Sequence, residues 1–377
     1  VIKVLVVDDS ALMRRVLSGI LTGSGDMDVV TARDGEDALA RLHDIRPDVI
    51  TLDVNMPNMS GLACLDRIMI ERPCPVVMVS SLTAAGADVT LSALQLGAVD
   101  FLAKPAGAIS LALDDLAPVL VEKVRGAARA RISPVQRLTE RVRARLPPAP
   151  RPRTPAAVAS FASPPVERAG VGVPGKGQDR CSGAEAVSDA VVLVGASTGG
   201  PPALDALLTR LPAHFPWPVV VAQHMPAAFT GPLARRLDRA CALAVTEVTG
   251  LLPLAPGSVY IGRGDADILV GLRQGAPVVM AAPSSQEHRW HPSVERLVRS
   301  AMAHLPPERL IGVLMTGMGN DGAPAMTELR RAGGHTIAEA EETAIVWGMP
   351  GELVKAGGAE EVLNLDRIAA KLLEWAQ

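Results

Sequence analysis

The stretch VIKVLVVDDSALMRRVLSGIL, Val1–Leu21, decides the fold of the first third of the chain. Its opening, IKVLVV, is a continuous apolar run of the kind that forms a strand buried on both faces. Two aspartates and a serine then break the run. Ser10 is placed to cap a helix, and Leu12, Met13, Val16, Leu17, Ile20 and Leu21 fall on one face of it. The unit is strand, polar turn, helix. It recurs to about residue 125, with DVVTA, DVITLD, VVMVS and DFLAK as further strands between helical patterns. Such alternation predicts a doubly wound α/β domain, a parallel sheet with helices on both faces.

The same alternation returns from about 187 to the end. AVVLVG, PVVVAQ and RLIGVLMTG are buried-strand runs, each followed by glycine or proline and a helical pattern. A second α/β domain with a mostly parallel sheet is expected there. Between the two the texture changes. From Lys123 to Arg153 there are ten basic residues and one acidic residue, Glu140, and the run ends in LPPAPRPRTPAAVASFASPP. This reads as a basic helix followed by an extended, Pro/Arg-rich linker. No aromatic residue interleaves the arginines before Phe161, so a solvated segment is favoured over a nucleic-acid footprint. The expected division is 1–125, 126–186 and 187–377.

A length of 377 residues suits two or three domains. Aromatic residues are only 2%, so the cores must be built from Val, Leu, Ile, Met and Ala. A net charge of -3 argues against a protein that coats nucleic acid. Cys64, Cys74, Cys181 and Cys241 form no CxxC, which indicates neither a zinc site nor a disulfide framework and leads to the expectation of a cytoplasmic protein. The chain opens on a strand-like run rather than a charged leader, and no apolar run of about 18 residues is present to insert in a bilayer.

Asp8 and Asp9 end the first strand, and Asp53 ends VITLD. In an open parallel sheet these ends form the ligand crevice. Three carboxylates there repel one another unless a cation joins them, and hard oxygen donors suit Mg²⁺. Ser80 and Lys104 end two further strands at the same edge. An aspartate beside Mg²⁺, an ammonium and a hydroxyl makes a phosphoryl-acceptor site. VVDDS, LDVNMPNMSGL, VMVSS and FLAKP together resemble the response-regulator receiver family, with its flavodoxin-like fold. The resemblance implies that Asp53 accepts phosphate from a histidine kinase. It also implies that Asp8, Asp9 and Asp53 hold Mg²⁺ with the Asn55 carbonyl, that Ser80 and Phe101 are switch residues, and that Lys104 pairs with the phosphoryl group.

In the second domain, GASTGGP follows a strand and opens a helix. It lacks the lysine of a P-loop and the glycine spacing of a dinucleotide fingerprint. It does match G-x-S-x-G, Gly195 to Gly199, in which a serine is presented as a nucleophile. A nucleophilic serine needs a base and a group that orients the base. Of seven histidines, only His224, in PVVVAQHMP, directly follows a strong apolar strand. GVLMTGMGNDGA has the same form and carries Asp321. Taken singly, His224 reads equally as a core histidine and Asp321 as a helix cap; together they put Ser, His and Asp on one sheet edge. HRWH offers a rival metal pair in His288 and His291, without HExxH or an evident third ligand. Arg289 and Trp290 read as groove-lining residues.

The order of a receiver, a Pro-rich linker and GASTGGP, QHMP, TGMGNDGA and GMP resembles the CheB family of chemotaxis receptor methylesterases, whose effector domain is Rossmann-like. The resemblance implies a cytoplasmic serine hydrolase that removes methyl groups from glutamyl esters of chemoreceptors and releases methanol; many members also deamidate receptor glutamines. Ser197 becomes the nucleophile, His224 the base, Asp321 its orienting partner, and the Met318 N–H an oxyanion donor. No cofactor is implied for the esterase. Phosphorylation at Asp53 is expected to release a receiver packed over the Ser197 edge. Two departures stand out: YIGRG at Tyr260–Gly264, and Glu295 in HRWHPSVER, both expected to border the groove without touching the triad. A DNA-binding regulator is the rival class, without a helix-turn-helix to support it; a scaffold with a dead esterase is the other.

Overall fold

The computed structural model of the chain describes residues 1–80, 83–104, 109–131 and 190–377. Residues 132–186 of the expected linker, and Cys181, lie outside the described residues.

The first unit runs β1 (Ile2–Val7), α1 (Ala11–Gly23), β2 (Met27–Ala32), α2 (Gly35–Ile45), β3 (Val49–Asp53), α3 (Gly61–Glu71), β4 (Val76–Ser80), α4 (Ala84–Gln95), β5 (Asp100–Ala103) and α5 (Ile109–Ala128). Its sheet is parallel, in the order β2-β1-β3-β4-β5. Val4 to Val7 are buried because helices cover both faces. The Ser10 hydroxyl accepts the Met13 N–H and caps α1 as expected. The buried stripe of α1 is narrower than its apolar pattern: Met13, Leu17 and Leu21 are buried, while Leu12 is 57% exposed. Helix α5 continues past residue 125 because Val124 and Ala127 still fill the core shared with α1.

The second unit runs β6 (Val191–Ala196), α6 (Gly200–Leu208), β7 (Val219–Gln223), α7 (Ala227–Ala240), β8 (Ala244–Val248), β9 (Leu251–Pro253), β10 (Ser258–Gly262), β11 (Ala266–Arg273), β12 (Ala276–Pro283), α8 (Val294–His304), β13 (Leu310–Leu314), α9 (Ala323–Arg331), β14 (His335–Glu339), α10 (Met349–Lys355), β15 (Glu361–Leu363) and α11 (Leu365–Trp375). Seven strands form a parallel sheet, β15-β14-β13-β6-β7-β10-β8. The alternation did not foretell a small antiparallel sheet, β11-β12-β9. Its hairpin turns at Gln274 and Gly275, both with positive φ (53° and 82°), the geometry that matches strand twist in a two-residue turn. The hairpin redirects the chain so that Ser285–Ser293 returns towards the main sheet, and α8 packs between β11 and the main-sheet strands β6, β7 and β13.

Both sheets reverse winding direction, the first between β1 and β3, the second around β6. Crevices open at such points, beyond the carboxyl ends of the strands. The two units also share packing. Phe101 of β5 lies against Phe229 of α7 with ring centroids 4.4 Å apart, and α4 lies along α7. Buried residues from both units belong to one continuous apolar cluster.

Candidate active site

β6 and β7 pair in register with Ala196 opposite Gln223, so the next residues, Ser197 and His224, leave the sheet side by side. The His224 N–H donates to the Ala196 carbonyl at 3.0 Å and fixes that juxtaposition. The Ser197 carbonyl accepts from the Gly200 N–H at 2.7 Å and from the Gln223 amide at 3.0 Å, closing a tight turn. Gly199 in that turn has φ 77°, a left-handed conformation that glycine adopts without steric cost. On the other flank the Ser197 N–H donates to the Thr316 carbonyl at 3.0 Å. Gly317 must be glycine: a Cβ there would stand 2.8 Å from the Ser197 Cβ.

His224 Nε2 lies 2.8 Å from Asp321 Oδ2. Its Nδ1 is buried and has no hydrogen-bond partner among the described residues. The ring is held flat by Trp290, stacked on it at 5.7 Å and 13°. Asp321 is not the cap of the helix that follows it; Gly322 takes that place. Instead it sits at the start of α8. Oδ2 accepts the Val294 N–H at 2.8 Å, and Oδ1 accepts the Glu295 N–H at 3.0 Å and the Ser293 hydroxyl at 3.1 Å. Burial raises the pKa of Asp321, but the bonds from His224, Val294 and Glu295 outweigh it and hold the carboxyl below its usual range. A charged Asp321 facing Nε2 fixes the tautomer with the proton on Nε2 and leaves Nδ1 as the bare, basic nitrogen.

The segment His288–Arg296 therefore does more than border a groove. The Glu295 backbone N–H donates to Asp321, while its carboxylate, the departing feature, turns away to accept the Ala325 N–H at 3.0 Å. The rival metal pair is not assembled: His291 Nδ1 pairs with buried Asp267 at 2.9 Å, which also accepts the Ser293 N–H. In the other departure, YIGRG, the turn packs closely on the segment that leads to α8, since a Cβ on Gly262 would stand 3.0 Å from Pro292 and 3.0 Å from Ile268.

The loop carrying Met318 is tightly held. The Gly317 carbonyl accepts from Gly348 and Met349, and the Gly317 N–H donates to Val346 at 3.0 Å. The Thr316 N–H donates to Glu339 Oε2 at 2.8 Å, and the Thr316 hydroxyl donates to the Thr198 carbonyl at 2.9 Å. Glu339 is fully buried, and burial pushes its carboxyl up to about 7. Sequence reasoning missed it, although a carboxylate ending the apolar run HTIAE was the available signal.

The receiver lies on this site. The Thr198 hydroxyl donates to Asp100 of β5 at 2.5 Å. Arg289 pairs with Glu122 of α5 at 2.5 Å, and a Cβ on Gly126 of α5 would stand 2.0 Å from Met318 Sδ. Arg131 pairs with Glu341 at 2.8 Å. A cleft of about 880 Å³ remains between α1, α5 and the Met318 loop.

In the first unit, Asp8, Asp9 and Asp53 offer oxygens within 4.8 Å of one another, the one metal-capable cluster among the described residues. Lys104 Nζ lies 3.0 Å from Asp8 and 2.9 Å from Asp53. Asp8 Oδ2 is buried and makes no hydrogen bond of good geometry. Burial raises the pKa of Asp53 against the pull of Lys104. An all-oxygen set with one such buried atom fits a hard divalent cation. Ser80 is buried at the same edge, its hydroxyl donating to the Gly86 carbonyl at 3.3 Å. Phe101 is buried under Phe229.

An acidic pocket with a lysine on one doubly wound unit, and Ser, His and Asp on the edge of another, define a response regulator with a hydrolase-type effector domain. The family description "Response regulator receiver domain" matches residues 4–113, and "CheB methylesterase" matches residues 192–372. A protein-glutamate methylesterase/protein-glutamine glutaminase 2 of Rhodopseudomonas palustris is 53% identical over 99% of this chain and 98% of its own. A corresponding protein of Rhodospirillum rubrum is 51% identical over 99% and 96%. The solved catalytic domain of Thermotoga maritima CheB methylesterase is 37% identical, spanning 50% of this chain and 100% of its own, with a TM-score of 0.48. The chain belongs to the CheB family of protein-glutamate methylesterase/protein-glutamine glutaminases.

Proposed function

We propose that the protein is a phosphorylation-activated serine hydrolase that removes methyl groups from glutamyl methyl esters of chemoreceptors, releases methanol, and deamidates receptor glutamines by the same acyl chemistry. The observation that carries this reading is the bond of His224 Nε2 to Asp321 with Nδ1 left open beside the Ser197 turn. Ser197 Oγ attacks the ester carbonyl and His224 Nδ1 takes its proton. The oxyanion is received by the Met318 N–H, a contribution of about 3–4 kcal/mol. Methoxide is a poor leaving group and departs as methanol with the proton held by His224. Water then attacks the acyl-enzyme, His224 again serving as base, to give the glutamate carboxylate. In deamidation the leaving group is ammonia.

Asp53 accepts phosphate from a chemotaxis histidine kinase. Asp8, Asp9 and Asp53 would hold Mg²⁺, which when bound would supply positive charge opposite the phosphoryl group. Lys104 pairs with that group, and Ser80 and Phe101 relay its arrival. The contacts of α5 and β5 with the Ser197 edge support autoinhibition in the unphosphorylated state. The protein is read as cytoplasmic: Cys64 and Cys74 are free buried thiols, and no described helix is long and apolar enough to cross a membrane. Substituting Ser197→Ala and measuring methanol from methylated chemoreceptor is the direct test. Loss of release is expected; an unchanged rate removes the assignment.

A further inference from the structure

Arg289 stands one aromatic ring from the base. Its guanidinium carbon lies 5.0 Å from the Trp290 ring, and Trp290 in turn stacks on His224. The partner of this cation is not in the effector unit. It is Glu122 of the receiver, whose half-buried carboxyl is raised by burial and pulled back by Arg289, Lys123 and His224. Desolvating a carboxylate is unfavourable unless a partner compensates.

Glu122 is one of six α5 residues that line the cleft: Ala117, Pro118, Val121, Glu122, Arg125 and Gly126. These recur at i, i+1, i+4, i+5, i+8 and i+9, a single helical face. One turn beyond Glu122, at i+4, Gly126 lies on Met318, the expected oxyanion residue. A helix thus fills the entrance, with a carboxylate on Arg289 and a residue without a side chain where an ester would be cut.

We propose that Arg289, backed by Trp290, is a specificity determinant that binds a carboxylate on the substrate helix four residues before the reacting glutamyl ester, and that α5 occupies this subsite as an intramolecular substrate mimic through Glu122. This rests on the methylesterase reading of the same site. Arg289 is 59% exposed and free to exchange one carboxylate for another when the receiver withdraws.

The test uses the full chain with a small phosphodonor and three helical peptides. Each carries one glutamyl methyl ester, with Glu, Gln or Lys four positions earlier. The native protein should favour the Glu peptide over the Gln peptide by about two- to fivefold in kcat/KM, mainly through KM, as one largely exposed ion pair supplies. Arg289→Glu should invert the order, so that the Lys peptide becomes the best substrate. Separately, Glu122→Gln should raise methanol release in the absence of phosphodonor. An identical ranking in the native and Arg289→Glu proteins, or no rise with Glu122→Gln, overturns the inference. If Ser197→Ala still cleaves the peptides, the methylesterase reading itself fails, whereas loss in Ser197→Ala with an unaltered ranking in Arg289→Glu refutes only the subsite.

Discussion

Thr198, the residue after the expected nucleophile, donates its hydroxyl to Asp100, the residue before the expected switch Phe101, at 2.5 Å. Asp100 also accepts the Phe101 N–H and the Lys123 ammonium, both at 2.7 Å. One buried carboxylate therefore joins the receiver's last strand to the nucleophile turn. A hydrogen bond to a charged group contributes about 1.5–3 kcal/mol, enough to shift a closed-to-open equilibrium about tenfold. Thr198→Val should raise unphosphorylated methanol release by about that factor and shrink the stimulation by phosphodonor. A variant with native basal and stimulated rates would refute the latch.

Asp321→Asn keeps the shape of the orienting residue but loses the charge that fixes the His224 tautomer. The expected loss in kcat is about 10³–10⁴-fold, in line with the same change in other triads. Methanol release and circular dichroism, measured together, separate this from unfolding. A loss under tenfold would mean that Asp321 serves mainly to hold the start of α8.

Glu339 gives stability a pH dependence of definite sign. Its carboxyl titrates at about 7 in the folded chain against an ordinary 4.5. Between these values the folded state holds a proton that the unfolded state has released. Stability therefore falls as pH rises through the window and levels off above it, by roughly 3 kcal/mol in total. Glu339→Gln should remove this component. Urea unfolding at pH 5 and pH 8 should show the variant gaining on the native protein at the higher pH; a constant difference would contradict the assignment.

Chelation separates the two chemistries. EDTA should abolish stimulation by a small phosphodonor and leave the unstimulated rate intact, because the carboxylates proposed to hold a metal, Asp8, Asp9 and Asp53, lie on the receiver and acyl transfer by serine, histidine and aspartate needs none. Asp53→Asn should likewise remove stimulation alone. If EDTA lowers the rate of the unphosphorylated protein, a metal also acts at the ester site.

Strand ends were the legible part. Asp8, Asp53, Ser80, Ser197 and His224 each terminate or follow an apolar run, and the parallel sheets fix the edge they reach. Asp321 was legible as a member of that edge but not in its setting. Its anchors, Ser293, Val294 and Glu295, arrive through the antiparallel hairpin, and strand-helix alternation carries no mark of a hairpin that serves another element. Trp290 was visible as a groove residue, yet its stacking on His224 depends on that same return of the chain. Thr198–Asp100 and Arg289–Glu122 were out of reach because docking of two folded units leaves no periodic trace in either.

The packing of Phe101 on Phe229 gives the contact between receiver and effector units a heat capacity. A clamp held partly by aromatic burial weakens on cooling, since apolar association loses strength as temperature falls. Ionic contacts such as Arg289–Glu122 and Arg131–Glu341 do not share that dependence. Under the proposed autoinhibition, the unphosphorylated rate relative to the fully stimulated rate should therefore rise on cooling, as the aromatic pair supplies less of the restraint.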